Sequence, residues 1–290
     1  MSNNLISIVI PLYNKEASIS RTLDSIINQT YKDWEIVIID DGSQDKSADI
    51  VQNYLKDSRI KYFYQHNQGV SIARNNGIFK ASGNWILFLD ADDYLLKHAL
   101  STLLNCAITY DTLVSTANFY SEHNNKRRIC HRRTHDGIIK DNFFDWYCNY
   151  CRPRIGSTLI QKSILLHLHF NQSLHRNEDI SFFFNIMRDF KVSYSKECIM
   201  VYSEDYLSLS KPCKEFNKDF IFHMNFNKTS FWEKMALATL INEGYLLYVN
   251  QQNILRKKYS LYLIFAKLDV WIHKFLSNIN HNEKTIHYNY

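Results

Sequence analysis

Apolar residues follow two alternating patterns over residues 1–117 of the chain. Short, nearly continuous apolar runs predict strands at residues 5–10, 34–39, 60–64 and 85–89. Between these runs, helical spacing of apolar residues predicts helices at residues 17–28, 45–55, 70–80 and 97–110. A further apolar run predicts a strand at residues 113–117.

Strands that alternate with helices indicate parallel pairing through right-handed crossovers. Apolar runs without a polar alternation are typical of a sheet that is covered on both faces. Residues 1–117 are therefore predicted to form the nucleotide-binding half of an α/β domain, with a Rossmann-like, mostly parallel sheet flanked by helices.

The middle of the chain has a weaker pattern. Residues 118–153 are polar, basic and aromatic, and predict mostly loop with one short helix near residues 142–150. Later apolar runs predict strands at residues 155–160, 192–194 and 198–202. Residues 177–190 open with Asn-Glu-Asp and continue at helical spacing, which predicts a helix. We assign residues 118–210 to the second half of the same domain.

Beyond Pro212 the pattern becomes helical, and residues 211–290 are predicted to form a helical C-terminal extension. A stripe of apolar and aromatic residues runs through residues 260–276, with Lys267, Asp269, His273 and Lys274 elsewhere on the helical wheel. Such a stripe is typical of a core helix. Its aromatic and basic character also suits a helix that lies in a membrane interface, so both interpretations stay open.

The composition of the chain narrows the class of protein to which it can belong. The chain has 290 residues, is 46% hydrophobic and contains only 7 Gly and 3 Pro, which favours a sizeable core without long flexible linkers. The N-terminal apolar run has no basic start and no small-residue cleavage site. No uncharged apolar stretch reaches the roughly 20 residues that span a bilayer. We therefore expect a cytoplasmic protein.

The net charge of +5 is concentrated in a basic run at residues 126–133, followed by Arg152 and Arg154. The run is interpreted either as a solvated loop or as a surface for phosphates, from anionic lipid heads or a diphosphate-linked acceptor. Nucleic acid is the least favoured partner. Six cysteines include one Cys-x-x-Cys pair, Cys148 and Cys151, for which reduced, buried thiols are favoured over a metal or redox role.

Three carboxylates, Asp90, Asp92 and Asp93, follow the apolar run at residues 85–89. They lie at the carboxyl end of a predicted strand, where open α/β sheets bind ligands. Crowded like charges are unfavourable unless they share a cation. Oxygen ligands favour Mg²⁺ or Mn²⁺, and such a metal indicates a phosphate-bearing substrate. Capping of the next helix would explain one of the acids.

Five motifs occur in a fixed order along the chain. They are Pro11-Leu-Tyr-Asn14, Asp40-Asp41-Gly42-Ser43, the segment 67–77, Asp90-Ala-Asp92-Asp93 and Glu178-Asp179. In this order they resemble the inverting family 2 glycosyltransferases of the GT-A fold, of the type found in bacterial polysaccharide and O-antigen biosynthesis. The resemblance covers residues 5 to about 210. It implies a nucleotide-diphosphate sugar as donor and a divalent metal, Mn²⁺ or Mg²⁺.

The first two motifs are implied to bind the nucleoside of the donor. Asp41 is implied to accept the imide N–H of uracil, and Asp40 to support the loop around it. Pro11 and Tyr13 are implied to line the uridine pocket, and Asn14 belongs to the same substrate-binding motif. The alternative for Asp40-Asp41-Gly42-Ser43 is ordinary turn chemistry.

The later acids are implied to handle the diphosphate. Asp90 is implied to contact the ribose or the metal shell, and Asp92 to bind the metal, whereas the role of Asp93 stays open. Arg74 is expected either to neutralise the diphosphate or to pair with the aspartates. A surface salt bridge is the alternative for Arg74.

Asp179 matches the second member of the family's catalytic acid pair and is implied to be the general base, with Glu178 as the other candidate. One positioned carboxylate is sufficient to deprotonate an attacking hydroxyl. The alternative is that both acids only favour the N-terminus of a helix electrostatically. Residues 118–210 would thus contain the acceptor-binding and catalytic-base half.

The sequence therefore predicts a metal-dependent inverting glycosyltransferase that uses a UDP-sugar. The expected acceptor is a saccharide carried on a lipid diphosphate in surface polysaccharide, O-antigen or capsule synthesis, and an α-linked donor would give a β-linkage. We expect peripheral contact with the inner membrane surface and no nucleic-acid partner. The alternatives are a nucleotidyltransferase, which usually has a Gly-rich basic loop after the first strand, and a non-catalytic nucleotide-sugar-binding protein, which needs no base.

Overall fold

A computed structural model describes residues 4–203, 215–227 and 229–260. The chain divides into two compact units, Met1–Phe220 and Ile221–Tyr290. The domain boundaries predicted from sequence, near residues 117 and 210, stay predictions.

The described part of the first unit contains one ten-stranded sheet. Its strands are β1 (Ile6–Leu12), β2 (Trp34–Asp40), β3 (Ile60–Tyr64), β4 (Trp85–Phe88), β5 (Tyr94–Leu95), β6 (Val114–His123), β7 (Lys126–Ile129), β8 (Gly137–Ile138), β9 (Thr158–Gln161) and β10 (Val192–Ser203). They are ordered β3-β2-β1-β4-β9-β6-β10-β5, with β7 beside β6 and β8 beside β10.

The helices of this unit are α1 (Ile19–Ile27), α2 (Ser47–Gln52), α3 (Val70–Lys80), α4 (Ala99–Thr109), α5 (Asn142–Tyr147) and α6 (Glu178–Asp189). Strands β1 to β4 pair in parallel, as do β6 and β10, whereas β9 is antiparallel to its neighbours β4 and β6. This arrangement confirms the predicted α/β fold with a mostly parallel sheet. The four helices predicted in the first 117 residues are present; α3 has the predicted bounds, and the other three are shorter at both ends.

Alternate residues of β1 explain why its apolar run is continuous. Ile8 and Ile10 belong to one buried cluster together with Leu23 of α1. Val9 belongs to a second buried cluster together with Ala73 of α3. Because successive side chains of a strand point to opposite faces, β1 needs apolar side chains on both of its faces to fill both clusters.

Strand β1 does not stop at Pro11 as predicted, but continues to Leu12. The Leu12 carbonyl accepts a hydrogen bond from Asp41 N on the β2 side, whereas the Val9 carbonyl accepts from Leu89 N on the β4 side. The backbone nitrogen of Pro11 points towards β4, as the N–H of Val9 does, because the backbone groups of alternate residues in a strand point to the same neighbouring strand. The pairing with β4 has already ended at Val9, so the missing N–H of Pro11 costs no ladder hydrogen bond.

The short helix predicted near residues 142–150 is present as α5, but the prediction of loop was wrong for residues 118–123 and 126–129. Strand β6 extends to His123 and forms a hairpin with β7, which contains the first part of the basic run. The turn consists of Asn124 and Asn125, both with positive φ, at 48° and 59°. Asparagine tolerates this conformation, and such pairs form two-residue hairpin turns. All of β7 is exposed, so it has no apolar pattern that would reveal a strand.

The two strands predicted at residues 192–202 are one strand, β10. Its pairing with β6 shifts register between Ser195 and Cys198 and again before Val201. The shift leaves Lys196 and Glu197 exposed. This irregularity interrupts the apolar pattern, which is why the sequence predicts two strands. Strand β5 was not predicted, since two residues are too short to show a pattern.

The described part of the second unit is helical, as predicted, with α7 (Phe231–Leu247) and α8 (Gln252–Tyr259). The predicted apolar stripe at residues 260–276 lies outside the described residues beyond Ser260. Within the described ranges, no helix is long and apolar enough to cross a membrane. Five cysteines are free thiols, including the buried Cys148 and Cys151. Cys213 lies outside the described residues.

Candidate active site

The carboxyl ends of β1, β2 and β4 lie side by side and bring the first, second and fourth motifs together. Asp41 N donates to the Leu12 carbonyl at 2.8 Å. Lys15, which follows the first motif, pairs through Nζ with Asp92 Oδ2 at 2.5 Å. Because three parallel strands end at one edge of the sheet, residues from distant parts of the sequence form a single site.

Asp40 and Asp41 are both buried and both organise loops. Asp40 accepts hydrogen bonds from Ser43 N at 2.8 Å and from the Tyr62 hydroxyl at 2.6 Å, which supports the turn after β2. Asp41 accepts from Gln65 Nε2 at 2.7 Å and from Gln68 N and Gly69 N, both at 2.8 Å.

Asp41 thereby holds the loop in front of α3 against the end of β2. A carboxylate has about four acceptor positions, and donors from the described residues use three of those of Asp41. One position is left for a ligand N–H, which is compatible with the predicted contact to uracil. That contact stays a prediction.

The first motif adds an exposed ring and a second turn to this edge. The Tyr13 side chain is 45% exposed, so its ring is accessible to a planar ligand. Asn14 has a positive φ of 51°, and its Oδ1 accepts from Gln44 N at 2.8 Å. Asn14 N also donates to Ser43 Oγ at 3.2 Å. Asn14 therefore ties the end of β1 to the turn after β2.

The three acids after β4 do not share a cation of the protein, because each has its own environment. Asp90 pairs with Arg74 at 2.9 Å, and Asp92 pairs with Lys15. Asp93 is buried and accepts from Ser203 N at 2.9 Å. Burial, followed by the charges of Asp90 and Asp92, raises the pKa of Asp93 well above its usual value. The crowding is thus relieved by two ion pairs, and the raised pKa of Asp93 favours the uncharged form of the third acid.

These residues fit a divalent metal of the Mg²⁺ type. Asp92 is an oxygen ligand whose side chain is 34% exposed, and the pair that it makes with Lys15 is not deeply buried. Among the described residues, no group of three or more His, Cys, Asp or Glu converges to enclose a metal. Mg²⁺ sites commonly use one or two carboxylates and complete their shell with substrate phosphates. Lys15 would have to leave Asp92 when a metal binds.

Arg74 connects the acids of β4 with those of α6. Its guanidinium, only 4% exposed, donates to Asp90 Oδ1 at 2.9 Å and to Glu178 Oε1 at 3.0 Å. It also lies over the Phe170 ring, 5.1 Å from the ring centre. Burial lowers the pKa of Arg74, but Asp90 and Glu178 outweigh it and raise the pKa above the usual value. Of the two expected roles, the pairing with an aspartate is present, whereas contact with a diphosphate stays a prediction.

The two acids of the last motif differ in their partners. Glu178 is largely buried and paired with Arg74, and burial together with the neighbouring Asp179 raises the pKa of Glu178. Asp179 is partly exposed, and its Oδ1 accepts from Ile180 N at 2.8 Å. In the part of the chain that the structure describes, Asp179 Oδ2 accepts no hydrogen bond. The role of Asp179 as the general base, with Glu178 as the other candidate, stays a prediction.

The loop before α6 is held by residues that the sequence did not single out for this role. Asn177 has a positive φ of 56°, and its Nδ2 donates to Asp219 Oδ1 at 2.8 Å. Arg176 Nε lies 3.2 Å from Asp219 Oδ2, and the Asp219 side chain is fully buried. No periodic pattern marks Asp219, so only the tertiary structure reveals this contact.

The basic run is divided among several partners. Arg127 pairs with Glu122 at 2.9 Å, and Arg133 pairs with Asp145 at 2.7 Å. His131 is buried, and its Nε2 accepts from Arg152 N at 3.1 Å. Burial, followed by the nearby arginines, lowers the pKa of His131 to about 3, so the ring is neutral at ordinary pH. The run is thus part hairpin and part internal structure.

Comparison with known proteins gives a consistent result. The model of the family "Glycosyl transferase family 2" matches residues 7–188. Glycosyltransferase GlyA of Streptococcus pneumoniae serotype 4 is 41% identical over 117 residues, which cover 40% of this chain and 17% of GlyA. The GalNAc(5)-diNAcBac-PP-undecaprenol β-1,3-glucosyltransferase of Campylobacter jejuni is 45% identical over 105 residues, which cover 35% of this chain and 34% of that enzyme. The chain therefore aligns with well under two thirds of each of these relatives.

Among solved structures, residues 1–349 of S. aureus TarS in complex with UDP-GlcNAc superimpose with a TM-score of 0.69. The superposition covers 85% of this chain and 74% of the TarS chain, with 18% sequence identity. At that identity the likeness establishes the fold.

Proposed function

The chain belongs to glycosyl transferase family 2, and we propose that it transfers a sugar from a UDP-sugar to a hydroxyl group of an acceptor glycan with inversion. The observation that carries this proposal is the link made by Arg74. It joins Asp90, at the edge expected to bind the donor, to Glu178, beside the expected base Asp179. A transferase needs both groups in one site, since the acceptor must attack the carbon that the diphosphate leaves.

The donor binds across the ends of β1, β2 and β4 in this proposal. Asp41 uses its remaining acceptor position for the uracil N–H, and the exposed Tyr13 ring lies against the nucleoside. Asp90, one third exposed, contacts the ribose. The S. aureus TarS structures contain UDP-GlcNAc or UDP, which supports a uridine nucleotide as the ligand of this fold.

Asp179 acts as the general base. Its free Oδ2 accepts the proton of the attacking hydroxyl as the new bond to the anomeric carbon forms. The buried Arg74–Glu178 pair fixes the start of α6 and so orients the neighbouring Asp179. Attack from the side opposite the leaving diphosphate inverts the configuration, so an α-linked donor gives a β-linked product.

Asp92 holds Mg²⁺ or Mn²⁺ in this proposal, and Asp90 lies beside it. Such a metal would act as a Lewis acid that offsets charge on the departing diphosphate. Lys15, released from Asp92, remains a cation at the same edge of the site.

The acceptor in this proposal is a saccharide on a lipid diphosphate, used in surface polysaccharide, O-antigen or capsule synthesis. The name of the C. jejuni relative, which acts on a glycan linked through PP to undecaprenol, supports this class. Contact with the inner membrane surface is part of the proposal. It is supported by α8, where Arg256, Lys257 and Lys258 occur near the exposed Ile254.

Two other functions are less well supported. A nucleotidyltransferase does not fit the family, and a non-catalytic binding protein gives no reason for an accessible Asp179 beside the buried Glu178.

A panel of UDP-sugars tests the proposal. UDP release is measured for each with Mn²⁺ or Mg²⁺ and a saccharide acceptor on a short prenyl diphosphate, and NMR then gives the configuration of the product. The proposal predicts UDP release and a β-linked product with at least one α-linked donor. The proposal would be overturned if the protein neither binds UDP nor releases UDP from any of the donors.

A further inference from the structure

Arg154 lies in the loop before β9, next to the acids at the end of β4. The N–H of Gly156 donates to the carbonyl of Phe88, the last residue of β4, at 2.8 Å. Arg154 also interacts electrostatically with Asp93. The Arg154 guanidinium is therefore beside the strand end that carries the proposed ribose and metal ligands.

Two aromatic rings fix the Arg154 guanidinium. Its central carbon is 4.0 Å from the centre of the Tyr202 ring and 4.9 Å from the centre of the Phe119 ring. Contact with the face of a ring orients the guanidinium plane while the N–H groups at its edge remain able to donate. Arg154 is thus pre-oriented without being fully buried.

Arg154 differs from Arg74 and Arg133 in having no direct ion pair with a carboxylate among the described residues. Arg74 and Arg133 each pair with buried or partly buried acids. Within residues 4–203 and 215–220, no carboxylate oxygen lies within 4.0 Å of the Arg154 guanidinium nitrogens. Most of the five guanidinium donors of Arg154 are left for a ligand.

Arg154 is attracted to Asp93 but makes no direct ion pair with it, and a partly desolvated cation of this kind is stabilised when an anion binds. The planar pair of donors in a guanidinium matches two phosphate oxygens, which makes such hydrogen bonds short and strong. A phosphate group is also the anion that the site already needs, because the acids of β4 are proposed to bind a diphosphate through a metal.

We propose that Arg154 binds a diphosphate group in this site, an inference that rests on the proposed transferase function. That function supplies two diphosphates, one in the UDP-sugar and one in the lipid carrier of the acceptor. Both present the same chemistry to a guanidinium, so the choice between them is made by ligand titration.

The experiment titrates the full chain and Arg154→Met with UDP, uridine, inorganic pyrophosphate and farnesyl diphosphate by calorimetry, with Mn²⁺ present. We expect Arg154→Met to weaken pyrophosphate binding about tenfold to a hundredfold, as for the loss of hydrogen bonds between charged groups. Uridine should bind both proteins equally. If Arg154→Met loses affinity for UDP by a similar factor, the diphosphate that Arg154 binds is that of the donor. If it loses affinity for farnesyl diphosphate while its affinity for UDP is unchanged, the diphosphate is that of the lipid carrier.

Two variants keep the test decisive. Arg59 also lies over a ring, 3.7 Å from the centre of the Trp34 ring, but it pairs with Asp57, so Arg59→Met should leave all four affinities unchanged. If Arg154→Met does not fold, Arg154→Lys should still lose about threefold to tenfold in pyrophosphate affinity, because lysine keeps the charge but not the planar pair of donors.

The inference is overturned if a folded Arg154 variant binds every diphosphate ligand with the affinity of the wild-type protein. A wild-type protein that binds neither UDP nor uridine contradicts the proposed function instead, and the pyrophosphate titration still tests Arg154.

Discussion

Arg74 and Glu178, which are 104 residues apart in the sequence, form an ion pair at 3.0 Å inside the protein. The same guanidinium holds Asp90, so one buried arginine links the strand end expected to bind the donor to the helix that carries the expected base. Arg74 thus acts chiefly on the relative position of these acids.

Replacing Arg74 should leave two carboxylates without their partner. We expect Arg74→Met to lower the free energy of unfolding by about 3–5 kcal/mol, because Glu178 would remain as an uncompensated buried charge. The double variant Arg74→Met/Glu178→Gln should recover part of this loss. Urea denaturation measures the free energy of unfolding of both variants. As a control, Arg127→Met, which breaks an exposed ion pair, should lower this free energy by about 1 kcal/mol or less. A double variant less stable than Arg74→Met would contradict the pairing.

The two acids of α6 should have separate effects on turnover. Asp179→Asn should lower kcat about a hundredfold to ten-thousandfold, the usual contribution of a general base, with UDP affinity near wild type. Glu178→Gln should mainly reduce stability, since Glu178 is the partner of Arg74. Steady-state kinetics with UDP titration separates the two. If Glu178→Gln abolishes turnover and Asp179→Asn retains it, the base has been misassigned.

Asp219 should position α6 through Asn177 and Arg176. Because Asp219 is fully buried and Arg176 is partly exposed, Asp219→Ala should cost about 2–4 kcal/mol of unfolding free energy. It should also lower kcat while UDP affinity stays the same. Asp219→Asn keeps an acceptor for Asn177 and should lose less of both.

Asp189→Ala is the matched control for Asp219, because Asp189 is exposed at the other end of α6. It should change neither stability nor kcat appreciably. Equal effects of the alanine variants at positions 189 and 219 would show that Asp219 has no specific role.

His131 should make the protein sensitive to acid. The folded protein keeps the ring neutral until its lowered pKa of about 3, whereas the unfolded chain protonates it below about 6.5. Stability should therefore be lost as pH falls below 6.5, by about 1.4 kcal/mol per pH unit. His131→Gln, which keeps an acceptor for Arg152 N, should lose about 2 kcal/mol less than wild type between pH 6.5 and 5.

Denaturation curves across this pH range check the prediction, with His169→Gln at an exposed position as control. The control should retain the acid sensitivity of wild type. An unchanged pH dependence in His131→Gln would contradict a neutral buried ring.

The sequence predicts best where structure depends on local pattern. Strands β1, β2 and β4 are buried on both faces, so their apolar runs are continuous and readily recognised. Their carboxyl ends meet, which is why the sequence alone is enough to assign Asp40, Asp41 and Asp92 to one edge of the sheet. Strand β7 is exposed, and only its Asn124-Asn125 turn could have revealed it.

The partners of the site residues could not be predicted in the same way. The pairs Arg74–Glu178 and Lys15–Asp92 join residues from separate elements, and no spacing in the sequence encodes them. The contact of Asp219 with the loop before α6 is of the same kind. Such pairs depend on how the sheet brings distant loops together, which pattern alone does not determine.

Metal-dependent transfer from a UDP-sugar, with Asp92 as the metal ligand, is the central proposal for this chain. The decisive measurement is the rate of UDP release from the preferred UDP-sugar. The rate is measured for the wild-type protein with Mn²⁺ or Mg²⁺ and with a chelator, and for Asp92→Ala with the same metals. We expect the chelator and the substitution each to reduce the rate to background, and added metal to restore only the wild-type protein. A full rate in the chelator, or in Asp92→Ala, would show that Asp92 does not bind a metal needed for transfer.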